Sequence, residues 1–487
     1  IWISPIYPSP MDDFGYDISN HCDIHPMFGD LATFDHLVEE AHARDLKVIM
    51  DYVPNHTSNQ HPWFLESKSS RTNSKADWYI WKDPKPDGSV PNNWLSLFGG
   101  ESAWEWSPER EQYYLHTFLV EQPDVNWRNP EARQAMLDIL HFWFKRGIDG
   151  LRIDASIEAM KDPEFRDEAL NPDWHAGIDP FLKIDHTYSQ NTVHNHQMNR
   201  WLREVSDQYA DRFLVGETYL HTTELVEHYG NDDEFHIPYN FQLIMDERWQ
   251  ADVVKGIADE YDAAVPEGAQ PSWVLGNHDR HRVATRVGSD QARVAMTLLL
   301  TLRGTPTIYY GDEMGMEDVE IPAEKEIDPW GILAPGLGLG RDPERTPMQW
   351  DDSPNSGFSE FGVEPWLPIA DNFEEINVKT GQIDPQSMLN MTRELLHLRR
   401  AMPALNHGSY RSLEAPDGIF AYVREAEGQS CLVVLNMTAE EANWVLPNDI
   451  RLDAEKQVIF STHTSTQTEL NSQTLLVKAN QAVILAL

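Results

Sequence analysis

Cysteine is nearly absent from this chain: Cys22 and Cys431 are the two thiols in 487 residues. Two cysteines so far apart make neither a disulfide framework nor a metal-ligand cluster. Long apolar runs are missing too, and none approaches the ~20 residues that cross a bilayer. No secretory leader is visible at the N-terminus. Cationic residues are scarce: 38 Lys and Arg stand against 79 Asp and Glu, a formal charge of −41. Nucleic acid is a poor partner for such a surface, because phosphate contacts require clustered Lys and Arg. An anionic membrane would also repel it. This much like charge keeps a protein soluble while opposing its compact state. Two readings of the acidity stand side by side: adaptation to a saline setting, where screening relieves the repulsion, and an ordinary acidic bacterial protein. The expected compartment is the bacterial cytoplasm.

What is present supports a large core. The hydrophobic share is 41%, with 17 Trp, 16 Tyr and 18 Phe, and the length allows two or three domains or one large barrel with additions. Ile1–Tyr7 reads as a strand, Leu31–Arg44 as an amphipathic helix and Leu46–Val53 as a buried strand. Strand, helix, strand is the parallel α/β signature. Residues 58–124, rich in Trp, Pro, Asn and Gly, interrupt the alternation. A structureless loop of that length is unusual in a compact domain, so this stretch is expected to be an inserted subdomain over a barrel mouth.

Alternation then resumes with a helix at Asn129–Arg146, a strand at Gly150–Asp154 and a helix at Met198–Tyr209. Further strands are expected at Phe213–Glu217, Ile237–Leu243, Ser272–Gly276 and Thr305–Gly311, and helices at Gln291–Leu302 and Met388–Ala401. After Pro403 come short runs at Tyr410–Leu413, Ile419–Arg424, Cys431–Asn436, Gln457–Phe460, Thr474–Val477 and Ala482–Leu485. These read as a terminal antiparallel β domain of the sandwich kind. The predicted architecture is a (β/α)8 barrel formed by 1–57 and 125–402, an insertion at 58–124 and a β-sandwich at 403–487. Seven parallel strands are legible where a closed barrel needs eight, so the first strand and helix are expected to precede Ile1.

Three of the strand runs end in a carboxylate: Gly150-Leu151-Arg152-Ile153-Asp154, Val215-Gly216-Glu217 and Leu275-Gly276-Asn277-His278-Asp279. Delivering acids at strand carboxyl ends is how a (β/α)8 barrel presents chemistry. Convergent acids suit glycosidic cleavage, which needs one carboxyl protonated and one ionised. Arg152 lies two residues before Asp154, on the same face of the strand. A fixed cation there is expected to keep that carboxylate ionised.

Other motifs add to these. They are Asp13-Phe14-Gly15-Tyr16, Asp51-Tyr52-Val53-Pro54-Asn55-His56-Thr57, Gln122-Pro123-Asp124-Val125-Asn126-Trp127, Gly304-Thr305-Pro306-Thr307-Ile308-Tyr309-Tyr310-Gly311 and Arg345-Thr346-Pro347-Met348-Gln349-Trp350-Asp351. In this order they resemble the α-amylase superfamily of retaining glycoside hydrolases, and within it the α-glucosidase and oligo-1,6-glucosidase branch. The resemblance implies Asp154 as nucleophile, Glu217 as general acid/base and Asp279 as the acid that holds sugar hydroxyls. It implies His56, His278 and Arg345 as sugar-binding residues, Asp13 on the outer hydroxyls of a terminal glucose, and Tyr16 stacked on its ring. Asp51 and Asn55 are expected to brace the site, Asn277 to brace or bind, and Arg282 to hold the third acid. No cofactor is implied. The family's frequent calcium or magnesium loop, just after the first strand, lies outside this chain, so no metal ligand is assigned.

Two departures refine the expectation. Endo-acting amylases carry Lys-His shortly after the nucleophile, where this chain reads Ser156-Ile157-Glu158. Ala155 follows the nucleophile; in this branch valine there accompanies α-1,6 bonds and smaller residues α-1,4 bonds. The resemblance therefore implies exo-acting release of glucose from short α-glucosides, α-1,4-linked ones first. A transglucosidase or sugar isomerase with the same site is the alternative. A non-catalytic accessory subunit is a remote third, against which the intact acids argue.

Overall fold

A computed structural model describes residues 1–246, 248–452, 458–463, 470–471 and 474–487. The chain divides into two compact units, one formed by 1–218, 226–238 and 327–340, the other by 219–225, 239–326 and 341–487.

The first unit is built on five parallel strands in sequence order: β1 (Trp2–Ile3), β2 (Ile49–Tyr52), β3 (Gly150–Ile153), β4 (Phe213–Gly216) and β5 (Ile237–Pro238). Their register places Asp51 beside Arg152, and Arg152 beside Val215. The intervening helices have readable starts. Asp30 caps Leu31–His42 by accepting from the Thr33 amide at 2.8 Å. Asn129 caps Pro130–Arg146, which has proline in its first turn and ends on a left-handed Gly147; both are favoured helix punctuation. Phe34 and Val38 of the first helix and Met136, Leu140 and Trp143 of the second pack with Met50, Leu151 and Leu214 of the strands in one buried cluster. That apolar packing, rather than helix propensity, holds the elements in place.

Within 58–124 the chain forms a three-stranded antiparallel sheet of Trp81–Lys82, Gln112–Leu115 and Trp104–Ser107, in that order. It has its own cluster of Ile80, Trp94, Ala103, Trp104 and Leu115. The segment rejoins the strands above at Val125, whose amide donates to the Asn55 carbonyl at 2.9 Å.

The second unit pairs β6 (Ser272–Val274) with β7 (Thr305–Thr307) in parallel. Helices Ala251–Ala264, Ser289–Thr301 and Met388–Ala401 belong to it. Its C-terminal part has a five-stranded antiparallel sheet, ordered Ser409–Leu413, Ile419–Ala426, Gln429–Asn436, Ala482–Ala486 and Val458–Ser461. A second sheet holds Ala442–Val445, Thr474–Val477 and Leu470–Asn471. Leu432, Val434 and Val483 of the first sheet share a buried cluster with Trp444, Leu475 and Val477 of the second. Gln457, expected to open a strand, lies outside the described residues.

Several boundaries differ from the sequence reading. The helix expected at Met198–Tyr209 spans Val193–Ser206, opened by a Thr192 cap. Its polar first turn, Val193-His194-Asn195-His196-Gln197, hides the apolar period. The strand expected at Ile237–Leu243 stops at Pro238, and Gln242–Met245 is a helical turn. Thr305–Gly311 keeps strand geometry only to Thr307, before Gly311 at φ 88°.

Candidate active site

Three strand ends of the first unit bring charge together. The Asp154 amide donates to the Tyr52 carbonyl at 2.9 Å and the Glu217 amide to the Ile153 carbonyl at 2.9 Å. Each ladder is thus prolonged by one rung, which fixes where its acid emerges. Gly216, just before Glu217, has no room for a side chain: a Cβ there would lie 2.2 Å from the Phe235 ring.

Arg152 is the hub. Its Nη1 contacts Asp154 Oδ1 and donates to Asp51 Oδ1 at 2.8 Å, while Nη2 pairs with Glu217 Oε1 at 2.7 Å. A planar guanidinium holding a carboxyl at each terminal nitrogen keeps those two carboxyls within a few ångström of one another. Retention by double displacement requires carboxyls ~5–5.5 Å apart. The other Glu217 oxygen, Oε2, accepts from the Ala155 amide at 2.8 Å. Ala155 adopts φ 43°, a left-handed backbone uncommon outside glycine.

Three carboxyls, those of buried Asp51 and Asp154 and of partly buried Glu217, share this one guanidinium, so full ionisation would leave two uncompensated negative charges. Burial pushes the Asp154 carboxyl well up; Arg152 opposes the rise, and Glu217 and Asp51 add to it. Asp51 is also raised by burial, against Arg152, Trp2 and Tyr16. Arg152 itself is discharged less readily than usual: burial disfavours its charge, but Asp51, Glu217 and Asp154 outweigh that. The expectation that Arg152 alone keeps Asp154 ionised is therefore revised, because three carboxyls divide one cation. Titration here is a property of the cluster as a whole.

The remaining expected residues of this unit join by hydrogen bonds. Tyr16 is 6% exposed, and its hydroxyl donates to Asp51 Oδ2 at 3.1 Å, where the Trp2 indole also donates at 3.0 Å. His56 Nε2 lies 3.2 Å from the Tyr16 carbonyl and 3.0 Å from Gln122 Nε2, which also donates to Asp13 Oδ2 at 3.0 Å. Burial lowers the His56 imidazole to about 4, so it is neutral near pH 7. Asn55 links His56 Nδ1 at 3.1 Å to Asp124, which Lys161 also grips. The turn Asp13-Phe14-Gly15-Tyr16 needs its glycine: Gly15 has φ 105°, and a Cβ there would lie 3.0 Å from the Pro5 carbonyl oxygen.

His278, Asp279 and Arg345 lie in the second unit and form a cluster there. Arg345 donates to Asp279 Oδ1 at 2.9 Å and to the His278 carbonyl at 2.6 Å. Arg341 adds a contact to Asp279 at 3.3 Å. Asn277 accepts from the Asp279 amide at 3.1 Å and donates to the Tyr219 hydroxyl at 2.8 Å. Arg282, expected to hold the third acid, instead donates to the Tyr310 and Glu344 carbonyls at 2.7 and 2.8 Å. It braces the loops beside that acid.

Sequence reasoning missed three participants. Gln122 was marked only by its motif, yet it ties Asp13 to His56. Arg341 carries no motif signal of its own. Glu158 is buried, accepts from Gln190 at 2.9 Å and is pushed up to about 8 by burial, with Glu217 adding to the rise. Its signal was available: a carboxylate where endo-acting relatives have a basic pair.

Residues 1–408 match the family described as alpha amylase, catalytic domain. The chain belongs to the α-amylase family. Membership carries the (β/α)8 barrel as the fold of the catalytic part, and 419–484 match the alpha-amylase SusG C-terminal domain. A probable alpha-glucosidase of Rhizobium meliloti (strain 1021) is 39% identical over 462 residues, covering 92% of this chain and 83% of the relative. A solved alpha-glucosyl transfer enzyme has TM-score 0.92 and 37% identity, covering 100% of this chain and 91% of its own. A solved trehalulose synthase variant has TM-score 0.90 and 31% identity, over 100% of this chain and 92% of its own. This α-amylase family member has no described helix long and apolar enough to cross a membrane.

Proposed function

We propose that the protein is a retaining, exo-acting α-glucosidase that releases glucose from the non-reducing ends of short α-glucosides, α-1,4-linked ones first. The observation that carries this reading is the single buried guanidinium of Arg152 shared by Asp154, Glu217 and Asp51. Asp154 attacks the anomeric carbon while Glu217 gives its proton to the departing glycosidic oxygen. A glycosyl–Asp154 ester and a free aglycone result. Glu217, now ionised, takes a proton from water, which attacks the anomeric carbon, breaks its bond to the Asp154 oxygen, and frees glucose and the Asp154 carboxylate. A coupled cluster in which burial raises both Asp154 and Asp51 is suited to share a proton at the start of this cycle.

Asp279 is assigned to the sugar hydroxyls, with His278 and Arg345 beside it in sequence or by hydrogen bond. Asp13, Tyr16 and neutral His56 are assigned to the terminal sugar, whose enclosure favours exo-action. Residues 1–57 and 125–402 are assigned to the barrel, 58–124 to an insertion over the site, and 403–487 to the β-sandwich.

Incubation with maltose, isomaltose and sucrose followed by product analysis tests the reading. Glucose released fastest from maltose supports it. Asp154→Asn is expected to lower turnover by at least ~10³-fold; hydrolysis at the wild-type rate in that variant overturns it. Transfer of glucose to another sugar is the second reading, favoured by the alpha-glucosyl transfer enzyme and trehalulose synthase among the solved relatives. Disaccharide products in place of free glucose would establish it.

A further inference from the structure

His281, Asp318 and Glu344 come together in the second unit, away from the hydrogen bonds that hold Asp279. His281 Nδ1 is 2.8 Å from Asp318 Oδ2 and 3.9 Å from Glu344 Oε2, and all three ligand atoms lie within 4.8 Å of one another. The Glu344 side chain is 2% exposed. Its Oε2 has no hydrogen-bond partner among the described residues. A buried carboxylate oxygen without a donor is costly unless something positive meets it. From the His281 side the approach is open, since that imidazole is 48% exposed.

We propose that His281, Asp318 and Glu344 form a binding site for a first-row divalent cation of the zinc or manganese type. Tetrahedral zinc, with bonds of ~2.0–2.1 Å, sets its ligand atoms about 3.3 Å apart. The observed 2.8 and 3.9 Å from His281 bracket that spacing, and the two carboxylate oxygens lie within 4.8 Å of one another. One imidazole with two carboxylates suits zinc or manganese better than calcium, which takes oxygen ligands. The two carboxylates balance the charge of the ion. Water would complete the coordination on the exposed side.

Outer contacts already orient the ligands. The Arg282 amide donates to Asp318 Oδ1 at 2.9 Å, and Thr285 Oγ1 accepts from the Asp318 amide at 2.7 Å. Such partners are what fixed metal ligands require. Burial also pushes the Glu344 carboxyl up to about 8, with Asp318 adding to the rise and His281 opposing it. A cation would remove the reason for that carboxyl to stay protonated. A second group, His196, His228 and Glu234, is less suited. Both ring nitrogens of His228 are engaged, by Asn199 and Asn191 at 3.0 Å each, and Arg200 pairs with Glu234.

The site would clip three chain segments together, those around 281, 318 and 344. His281 lies two residues beyond Asp279, and Glu344 directly precedes Arg345, which grips Asp279. The test is calorimetric titration of chelator-treated full-length protein with zinc chloride and with manganese chloride, in parallel with thermal melts. One saturable equivalent and a melting temperature raised by a few degrees are expected for wild type. Glu344→Gln and His281→Asn should each weaken binding at least tenfold and abolish the rise. His281→Asn, altered at a half-exposed position, serves if Glu344→Gln does not fold. Equal stoichiometry and equal thermal shift in wild type and His281→Asn overturn the proposal, because binding then resides on other acidic groups. No saturable binding to wild type overturns it as well.

Discussion

Arg152 decides most at the level of single residues. It is 1% exposed and offers its guanidinium to three carboxyls at once. Lysine has the charge but not the fork, so it cannot serve Asp154 and Glu217 from separate nitrogens. Arg152→Lys is expected to lower kcat by at least ~10²-fold. Arg152→Gln should cost about 3–5 kcal/mol of unfolding free energy, the usual loss when a buried ionic group is left uncompensated. Urea denaturation checks this; an unchanged midpoint would mean that the carboxyls are already neutral. Glu158 gives a pH prediction. An ordinary glutamate ionises near 4.5, whereas this one does so near 8. Between those values the folded state binds the extra proton, so stability is fully present below about 4.5 and declines as pH rises toward 8. Glu344 and Asp312 shift in the same direction, to about 8 and about 7. Glu158→Gln should remove its share, on the order of 2–4 kcal/mol, from the loss measured between pH 5 and 9. Identical slopes for wild type and variant would count against a neutral Glu158 in the folded state.

Among the elements, strand ends matter more than strand bodies. β4 can place Glu217 because Gly216 lets the Phe235 ring press against the backbone. Gly216→Ala should therefore destabilise by ~2 kcal/mol or more, as overpacking does, and should lower kcat more than it raises KM. A variant with wild-type kcat would show that the ring yields freely. The starts of the parallel strands were legible in the sequence because buried strands read as continuous apolar runs. Glu217 was legible for the same reason, as the first charge after such a run, and Asp154 as the acid that closes a strand interrupted only by Arg152. The aromatic strands Trp81–Lys82, Trp104–Ser107 and Gln112–Leu115 were not, since two to four residues carry too little period. Helix Ala251–Ala264 was also missed; Gln250 gives it no side-chain cap to announce its start. The bridge from Asp13 through Gln122 to His56 joins residues 109 and 66 positions apart. Contacts that long-range leave no trace in a single local pattern.

Across the whole molecule, the imbalance of charge outweighs any single contact. A formal charge of −41 is spread over 487 residues, and mutual repulsion of exposed carboxylates weakens as the screening length falls from ~10 Å at 0.1 M salt to ~3 Å at 1 M. Thermal stability is expected to rise steadily between 0.05 and 1 M potassium chloride, and far less with an equally concentrated uncharged osmolyte. A melting temperature indifferent to salt would favour the ordinary acidic reading over a saline one.

The left-handed turn at Ala155 limits how the protein can be re-engineered. Its amide reaches Glu217 from a backbone at φ 43°, a region where branching at Cβ is a genuine outlier. Installing valine there to redirect linkage choice would load the peptide that also anchors Glu217. Altered regioselectivity at this position would then arrive together with a slower, less heat-tolerant catalyst, and recovering one without the other would require compensating changes elsewhere.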